Sequence, residues 1–382
     1  MANLFLPQYN YHKRSNYYIS SNFLHSNTGK TSIDYSFNTS DDVIVSSNFS
    51  INDRAILLEN NNESLTPQGL LHLIRKNCKR ESLTHQLGFI EVIEQLYDIS
   101  DSLSKSHVLM KMVIAETDRI HEHCQWLYEL LTNSGLRHLS NELKAFKTLI
   151  SQFLYVSTSI KRNKVSNCIE VGVLNHSWNE ETSILCNKAL DRLNFNFVRI
   201  KENLMANQIL RDLLLGIGIM STGLAEKSGS VGPISRASGL ANDLRVQDPY
   251  WDYFSIKRFK LAISYDQDLY GKFKVVLNEI QTSLEILNYC INSIEIFDPE
   301  YYLDDVKMDQ YGHLSTRIES SNGPALYRVV CDENMNIKGF GMSSPSLTNL
   351  NSLETRLIGQ PINHSLRIIH AYNLVQFSIV SK

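Results

Sequence analysis

The sequence predicts a mostly helical α+β protein, with a central bundle of long helices between an N-terminal β-rich region and a C-terminal α/β segment. Two observations lead to this fold class. The run SHVLMKMVIAETDRIHEHCQWLYELL, residues 106–131, contains no proline or glycine, and its apolar residues recur at helical spacings. Both ends of the chain instead carry short runs in which apolar and polar residues alternate, as they do in strands.

The first 65 residues form the predicted β-rich region. They are rich in Asn and Ser, and the runs SIDYSFN and DDVIVSS alternate in polarity, whereas ENNNES is a polar turn. We therefore expect strands joined by polar loops in this part of the chain.

Residues 66 to 300 form the predicted helical bundle. Two further amphipathic segments follow the first long run, namely LDRLNFNFVRIKENLMANQILRDLLLG and YGKFKVVLNEIQTSLEILNYCINSI. The apolar positions that define the first helix are Val108, Met112, Ile114, Ile120, Leu127 and Leu131. Residues 301 to 382 return to short β-type runs, LSTRIES, ALYRVV and NIKGFGM, and end in a helix around INHSLRIIHAYN.

Composition excludes several classes of protein. The chain has 382 residues, 43% of them hydrophobic, which is enough for a sizeable core, and its net charge of −3 gives no basic footprint for nucleic acid. No apolar run approaches the length of a membrane span, and the first residues lack the apolar segment of a signal peptide. The six cysteines are scattered and predict reduced thiols of an intracellular protein, so any membrane attachment is expected to go through partners.

The segment GPISRASGLANDLRVQDPYW, residues 232–251, is the most informative motif. Small residues around Arg236 allow close backbone approach, and two guanidiniums with nearby carboxylates, Arg245 with Asp243 among them, predict a fixed lattice of ion pairs. A surface loop with paired charges is the alternative interpretation of the residues alone.

The run ETDRIHEHCQWL places Glu116, Arg119 and His123 on the first predicted helix. Arg119 lies three residues after Glu116, so an ordinary ion pair along one helix face explains the pair as well as a functional site does. His121 and His123 point to different faces of a helix and are not expected to chelate a metal together.

These motifs resemble, in order, those of a known family: the large subunits of membrane-bound nickel–iron hydrogenases and the large quinone-site subunit of respiratory complex I. The residues at 232–239 resemble the Gly-Pro-x-x-Arg-Ala-Ser-Gly signature, and 116–123 resemble the Glu-x-x-Arg-Ile-x-x-His helix. Four further segments follow the family's order: THQLGFIEVIEQL, which contains Glu94, then VGV, GIG and the final GPALYRVV through IGQPINHSLRIIHAYN. The resemblance implies the hydrogenase large-subunit fold. It also implies a functional centre containing Arg119, His123, Glu94 and Arg236, with Arg245, Asp243 and Asn133 as cofactor-facing residues.

The thiolates that hold nickel and iron in this family have no counterpart here. The C-terminal pair falls on Gln376 and Ile379, and the region before the His85 helix reads KRESLT, with only Cys78 nearby. Soft sulfur ligands are what nickel requires, so we expect no metal centre and no cofactor bound directly by this chain.

The quinone-pocket residues of the complex I relative also differ. Its His-Pro-x-x-His-Gly-Val loop is not recognisable here, where the nearest N-terminal segment is HSNTGKTSIDYSF. The Asp at the end of its Arg-containing helix aligns with Asn133 of this chain. Two hypotheses stay open. One is an electron-transfer subunit, on the cytoplasmic side of a membrane, that packs on a small iron–sulfur subunit beside membrane-embedded subunits, with quinone as a possible substrate. The other is a non-catalytic scaffold that keeps the same partner surfaces.

Overall fold

A computed structural model describes residues 16–20, 31–53, 56–58, 66–161, 164–257, 259–302, 312–333, 336–374 and 378–381. The strands are β1 (Asn16–Ser20), β2 (Thr31–Ser40), β3 (Val43–Asp53), β4 (Ile56–Leu58), β5 (Ile169–Glu170), β6 (Val173–Leu174), β7 (Glu300–Tyr301), β8 (Gly312–Ser320), β9 (Gly323–Cys331), β10 (Ile337–Ser343) and β11 (Ser378–Ser381). The helices are α1 (Pro67–Asn77), α2 (Ser82–Leu96), α3 (Lys105–Asn133), α4 (Arg137–Thr158), α5 (Glu180–Met205), α6 (Gln208–Leu214), α7 (Thr222–Lys227), α8 (Gly232–Arg236), α9 (Leu244–Gln247), α10 (Leu269–Ser293), α11 (Pro345–Leu357) and α12 (Ser365–Tyr372).

Helix α3 is the axis of the bundle. It begins where the hydroxyl of Ser104 accepts the backbone N–H of His107, and it runs for 29 residues without a break. It packs against α2, α4 and α10, while α5 packs against α4 and α10. The long helix predicted from the unbroken apolar period is therefore confirmed.

The second predicted helical segment is divided in two. Helix α5 ends at Met205, and α6 begins after Asn207, whose side chain accepts the backbone N–H of Leu210. An Asn that caps a new helix explains the interruption, because its side chain competes for the backbone donors of a continuing helix.

The β structure lies in three sheets. Strands β1, β2 and β3 are antiparallel, β5, β6 and β7 form a small sheet, and a five-stranded sheet has the order β4-β11-β10-β9-β8, with β4 parallel to β11. The β2–β3 turn has positive φ at both Asp41 and Asp42, the geometry of a type I′ turn. The predicted strands in SIDYSFN, DDVIVSS, LSTRIES, ALYRVV and NIKGFGM are confirmed.

The C-terminal region contains more helix than expected. The sequence predicts one terminal helix there, whereas α11 adds thirteen residues beginning at Pro345. Proline is favoured in the first turn of a helix, where its missing N–H costs nothing, so a serine followed by Pro345 was the available signal.

Two close contacts position the β8–β9 hairpin. Gly88 on α2 leaves room for the ring of Tyr327 on β9, since a Cβ at this position would overlap the ring. Gly232 has a φ of +67°, and its Cα lies so close to the Asn322 carbonyl that any side chain would collide with it. The start of the 232–251 motif is thereby held against the hairpin turn, which confirms the close backbone approach predicted from its small residues.

The mixed α/β fold class is confirmed, whereas the division into three regions at residues 65 and 300 stays a prediction. Within the described part of the chain, no helix is both long enough and apolar enough to cross a bilayer.

Candidate functional site: a buried ionic core

Eight ionisable side chains meet in the interior where α3, α10, the 232–251 motif and the end of β8 converge. We call this set the ionic core. Its members are Glu116, Arg119, His123, Arg236, Asp243, Arg245, Glu279 and Glu319. All are almost fully buried, so each charge has to be stabilised by a partner.

Glu116 is the acceptor at one end of the ionic core. Its oxygens accept hydrogen bonds from Arg119 Nε at 3.2 Å and from Arg245 Nη1 at 3.1 Å. The hydroxyls of Tyr253 and Ser283 donate to it as well, each at 2.6 Å. Burial by itself would raise the pKa of Glu116, but the two guanidiniums outweigh burial and lower it. The carboxylate is therefore held ionised.

Asp243 orients Arg245 through a two-point contact. Arg245 Nε and Nη2 donate to the two Asp243 oxygens at 3.0 and 2.7 Å, and Asp243 also accepts the backbone N–H of Arg245 as the cap of α9. This parallel pair fixes the guanidinium plane, which lies 5.0 Å from the ring centroid of Phe259.

At the other end of the ionic core, Arg236 donates hydrogen bonds to acceptors on several segments. Its Nε donates to Glu279 Oε1 at 2.8 Å, and its Nη1 donates to Glu319 Oε1 at 3.0 Å and to the Asn242 carbonyl at 2.7 Å. The second Glu279 oxygen lies 2.8 Å from His123 Nε2. Arg236 is thus the bridge between the α3 histidine and the β8 hairpin.

At this end of the ionic core, the pKa values of His123 and Glu319 are shifted in opposite directions. Burial lowers the pKa of His123 even though Glu279 opposes the shift. Burial and the neighbouring Asp243 charge raise the pKa of Glu319 to about 7, against the effect of Arg236. With three guanidiniums, four carboxyl groups and one imidazole, the ionic core is neutral when a single proton sits on Glu319 or His123.

The structure brings together five of the seven residues that the sequence singled out: Arg119, His123, Arg236, Asp243 and Arg245. Arg119 and His123 lie on one continuous helix, and each shares a carboxylate with an arginine of the 232–251 motif. Arg119 shares Glu116 with Arg245, and His123 shares Glu279 with Arg236. Arg119 is 2% exposed, and its Nη groups donate to the carbonyls of Ser320 and Glu319 at 2.6 and 2.7 Å. A surface loop is therefore the wrong interpretation of the motif.

Glu94 lies in a separate buried cluster. It pairs with Lys111, its Oε1 lies 3.5 Å from His107 Nε2, and it accepts the backbone N–H of Gly172 at 3.0 Å. Burial alone would raise its pKa, but Lys111 and His107 lower it to about 2. None of these partners is a member of the ionic core, and the assignment of Glu94 to the functional centre stays a prediction.

Asn133 is also outside the site. It is exposed in the last turn of α3, ten residues beyond His123, which is about 15 Å along the helix axis. The structure does not bring this amide near any member of the ionic core.

Sequence reasoning missed Glu279, Glu319 and Tyr253. Glu279 carried a signal, since it is a carboxylate on the apolar face of the predicted α10 segment. Glu319 and Tyr253 carried none, because their partners are distant in sequence: Arg236 and Glu319 are 83 residues apart.

An aromatic run joins the ionic core to the Glu94 cluster. Trp251 Nε1 donates to Glu91 at 2.7 Å, and Glu91 accepts from Lys111. The Trp251 ring contacts Tyr250 and Tyr253, and Tyr253 donates to Glu116. Trp251 itself has a φ of +52°, an uncommon conformation for a bulky residue.

Comparisons with known proteins agree with this architecture. A model of the respiratory-chain NADH dehydrogenase 49 kDa subunit matches residues 155–310, which include the motif and Glu279. One subunit of the NADH-quinone oxidoreductase of Desulfotalea psychrophila is 23% identical over 291 residues, covering 75% of this chain and 76% of the relative. The corresponding protein of Opitutus terrae is 30% identical over 172 residues, covering 44% and 42%.

A solved structure extends the likeness to nearly the whole fold. A chain of the membrane-bound sulfane sulfur reductase, an archaeal respiratory membrane complex, superposes with a TM-score of 0.82 at 17% identity. The match covers 94% of this chain and 96% of the other. The chain is thus similar, over residues 155–310, to the 49 kDa subunit of respiratory-chain NADH dehydrogenase, and its overall fold is of the hydrogenase large-subunit type.

Proposed function

We propose that this protein is a subunit of a complex I-like oxidoreductase, in which it packs on a small iron–sulfur subunit and supports electron transfer without a nickel–iron centre. The observation that carries the proposal is the ionic core itself. Its guanidiniums are held rigidly by carboxylates from four different segments, on the residues that resemble the family signature.

Buried guanidiniums suit a site beside a redox cluster. An added electron on a nearby iron–sulfur cluster is stabilised by fixed positive charge, and groups that are already held in place need no reorganisation at that moment. Because the pKa of Glu319 is raised to about 7, this carboxyl gives the ionic core a group that can take up a proton and neutralise such a charge.

The donor set does not fit a nickel–iron centre. Such a centre requires clustered thiolates, whereas all six cysteines are buried as free thiols. Burial raises the pKa of Cys78 to about 12 and that of Cys124 to about 12, so these groups stay protonated. Among the described residues, which do not include Gln376, no three His, Cys, Asp or Glu side chains are grouped as metal ligands.

Purification of the tagged chain from its native membranes tests the proposal. We expect to recover a small subunit with intact cluster cysteines, together with membrane-embedded subunits. The small subunit should give a cluster signal in electron paramagnetic resonance, and both it and this chain should lie on the cytoplasmic side of the membrane. Recovery of the chain with no cluster-bearing partner would overturn it. Stoichiometric nickel in the preparation would contradict the part that concerns the metal.

The second candidate is a non-catalytic scaffold, favoured by the exposed Asn133 where the family carries an acid. It predicts the same partner surfaces, but a small subunit that has lost its cluster cysteines. The partner's sequence and the redox titration of its cluster therefore discriminate between the two.

A further inference from the structure

Two buried cations lie close to the ionic core but outside it. Arg356 on α11 is 1% exposed and Lys272 on α10 is 2% exposed. We call them the cationic pair. Unlike every arginine of the ionic core, neither of them has a carboxylate within ion-pair distance in the described part of the chain.

The hydrogen bonds of Arg356 are incomplete. Its Nη2 donates to the hydroxyl of Ser238 at 3.3 Å, while its Nε and Nη1 have no hydrogen-bond acceptor among the described residues. Its guanidinium carbon lies 5.6 Å from the centroid of the Tyr372 ring. A guanidinium is charged at any physiological pH, so this side chain cannot escape the cost of burial by losing its proton.

Lys272 approaches the same place from α10. Its ammonium donates to the carbonyl of Ala371, the residue before Tyr372, and lies 4.0 Å from the centroid of the Trp126 ring. Burial first, and then the neighbouring Arg356 charge, hold the pKa of Lys272 well below its usual range. Lys272 contacts α12 at the residue next to Tyr372, the residue whose ring Arg356 faces.

A pair of hydroxyls completes the surroundings. Ser352 Oγ and Tyr372 OH are 2.8 Å apart, and either of them can be the donor. Hydroxyl hydrogens rotate to suit an acceptor, so this pair can present a donor toward a negative group. Positive charge, unused N–H donors and adaptable hydroxyls together are the chemistry of an anion site.

We propose that Arg356 and Lys272 form a binding site for a small inorganic anion inside this chain, closed by α11 and α12. The burial of both cations limits the ligand to a halide or a compact oxyanion, since a larger organic anion would require α11 to move away. The site is independent of the proposed electron-transfer function.

Thermal unfolding of the full-length chain tests the site with bromide as the probe. Sodium bromide is exchanged for sodium gluconate at constant ionic strength, because gluconate is too large for the interior. We expect a saturable rise in Tm on the order of 2–5 °C as bromide replaces gluconate. No difference between the two salts would overturn the proposal.

Two variants locate the effect. Arg356→Met removes the unpaired charge while keeping apolar volume, so it should abolish the bromide response without lowering the Tm in gluconate. Arg367→Met on α12 is the matched control: it makes the same change in net charge at a half-buried arginine, and it should keep the response. An unchanged bromide response in Arg356→Met would sink the assignment.

Crystals grown in bromide provide a readout that needs no variant. An anomalous peak beside the Arg356 guanidinium is the expected result. Bromide found only at surface positions would contradict the site even if the Tm rises.

Discussion

The ionic core and the cationic pair meet at residues 236–238 and differ in how their charge is balanced. Arg236 points into the ionic core and has carboxylate partners on two elements, whereas Ser238 accepts a hydrogen bond from Arg356, a cation with no carboxylate partner among the described residues. Burial is equally complete in both regions. The comparison teaches that equal burial can accompany a different charge balance: the charges of the ionic core are paired within the chain, whereas a charge left without an internal partner points to a ligand from outside it.

The largest expected effect comes from removing Glu116, the carboxylate with four hydrogen-bond donors at one end of the ionic core. Glu116→Ala leaves Arg245, Arg119, Tyr253 and Ser283 without their shared carboxylate. We expect the free energy of unfolding to fall by roughly 3–5 kcal/mol or more, measured from the midpoint of urea denaturation. Glu116→Gln keeps the shape and should lose less. A loss below about 1 kcal/mol would show that the network is not a stabilised unit.

Arg236 tests the link between the ionic core and a partner subunit. Arg236→Ala removes the cation that pairs with Glu279 and Glu319, and both are then left buried without it. We expect the free energy of unfolding to fall by on the order of 3–5 kcal/mol. Assembly or cluster-dependent activity should be lost, while circular dichroism still reports the helical bundle.

Arg236→Lys should lose nearly as much stability and assembly as Arg236→Ala. An ammonium does not reproduce the fixed directions in which Nε and Nη1 donate to two separate carboxylates. A scaffold would assemble poorly but show an unchanged cluster potential in the assembled fraction. Normal assembly and unchanged electron transfer in both variants would contradict a role for the motif at the subunit boundary.

The pH dependence of stability sharpens the comparison, because the ionic core, unlike the cationic pair, contains a carboxyl with a raised pKa. Native Glu319 keeps its proton up to about pH 7, whereas the unfolded chain loses it near the ordinary value for a glutamate. This group therefore contributes stability below about pH 4.5 that is lost as the pH rises toward 7.

Glu319→Gln should remove that loss, which we expect to be on the order of 1–3 kcal/mol. Its free energy of unfolding, relative to the original chain, should then rise between pH 5 and 7 in equilibrium denaturation. A constant difference between the two proteins across this range would contradict the raised pKa of Glu319.

The smallest expected effect is at Asn133, an exposed position that belongs to neither region. Asn133→Asp restores the acid typical of the family and should change the free energy of unfolding by less than about 0.5 kcal/mol. A large change in stability or in electron transfer would show that the end of α3 belongs to the functional site in the assembled complex.

The sequence was sufficient for those parts of the site that depend on local pattern. The unbroken period of α3 places Glu116, Arg119 and His123 on one element, and the glycine of the motif predicts the close approach that Gly232 makes to Asn322. Local pattern could not show which carboxylates pair with Arg236, since Glu279 is 43 residues away and Glu319 is 83.

Sheet topology had the same limit. Strand β4 has three residues and pairs in parallel with β11, more than 300 residues later, so no short-range signal encodes the pairing. Glu94 was assigned from its place in a family motif, and the helix face that it occupies was decided by packing against Lys111. What this sequence does not show by itself is which segments, distant along the chain, come into contact in the fold.

The contacts of Arg236 with carboxylates on two elements have a consequence for how the sequence of this chain can change in evolution. Replacing Arg236 or Glu279 alone leaves a buried charge of the opposite sign without one of its partners, so a single replacement at either position is costly. Exposed positions such as Asn133 carry no such penalty and drift freely. We therefore expect related chains to differ first at exposed positions and to keep or replace their buried charges together.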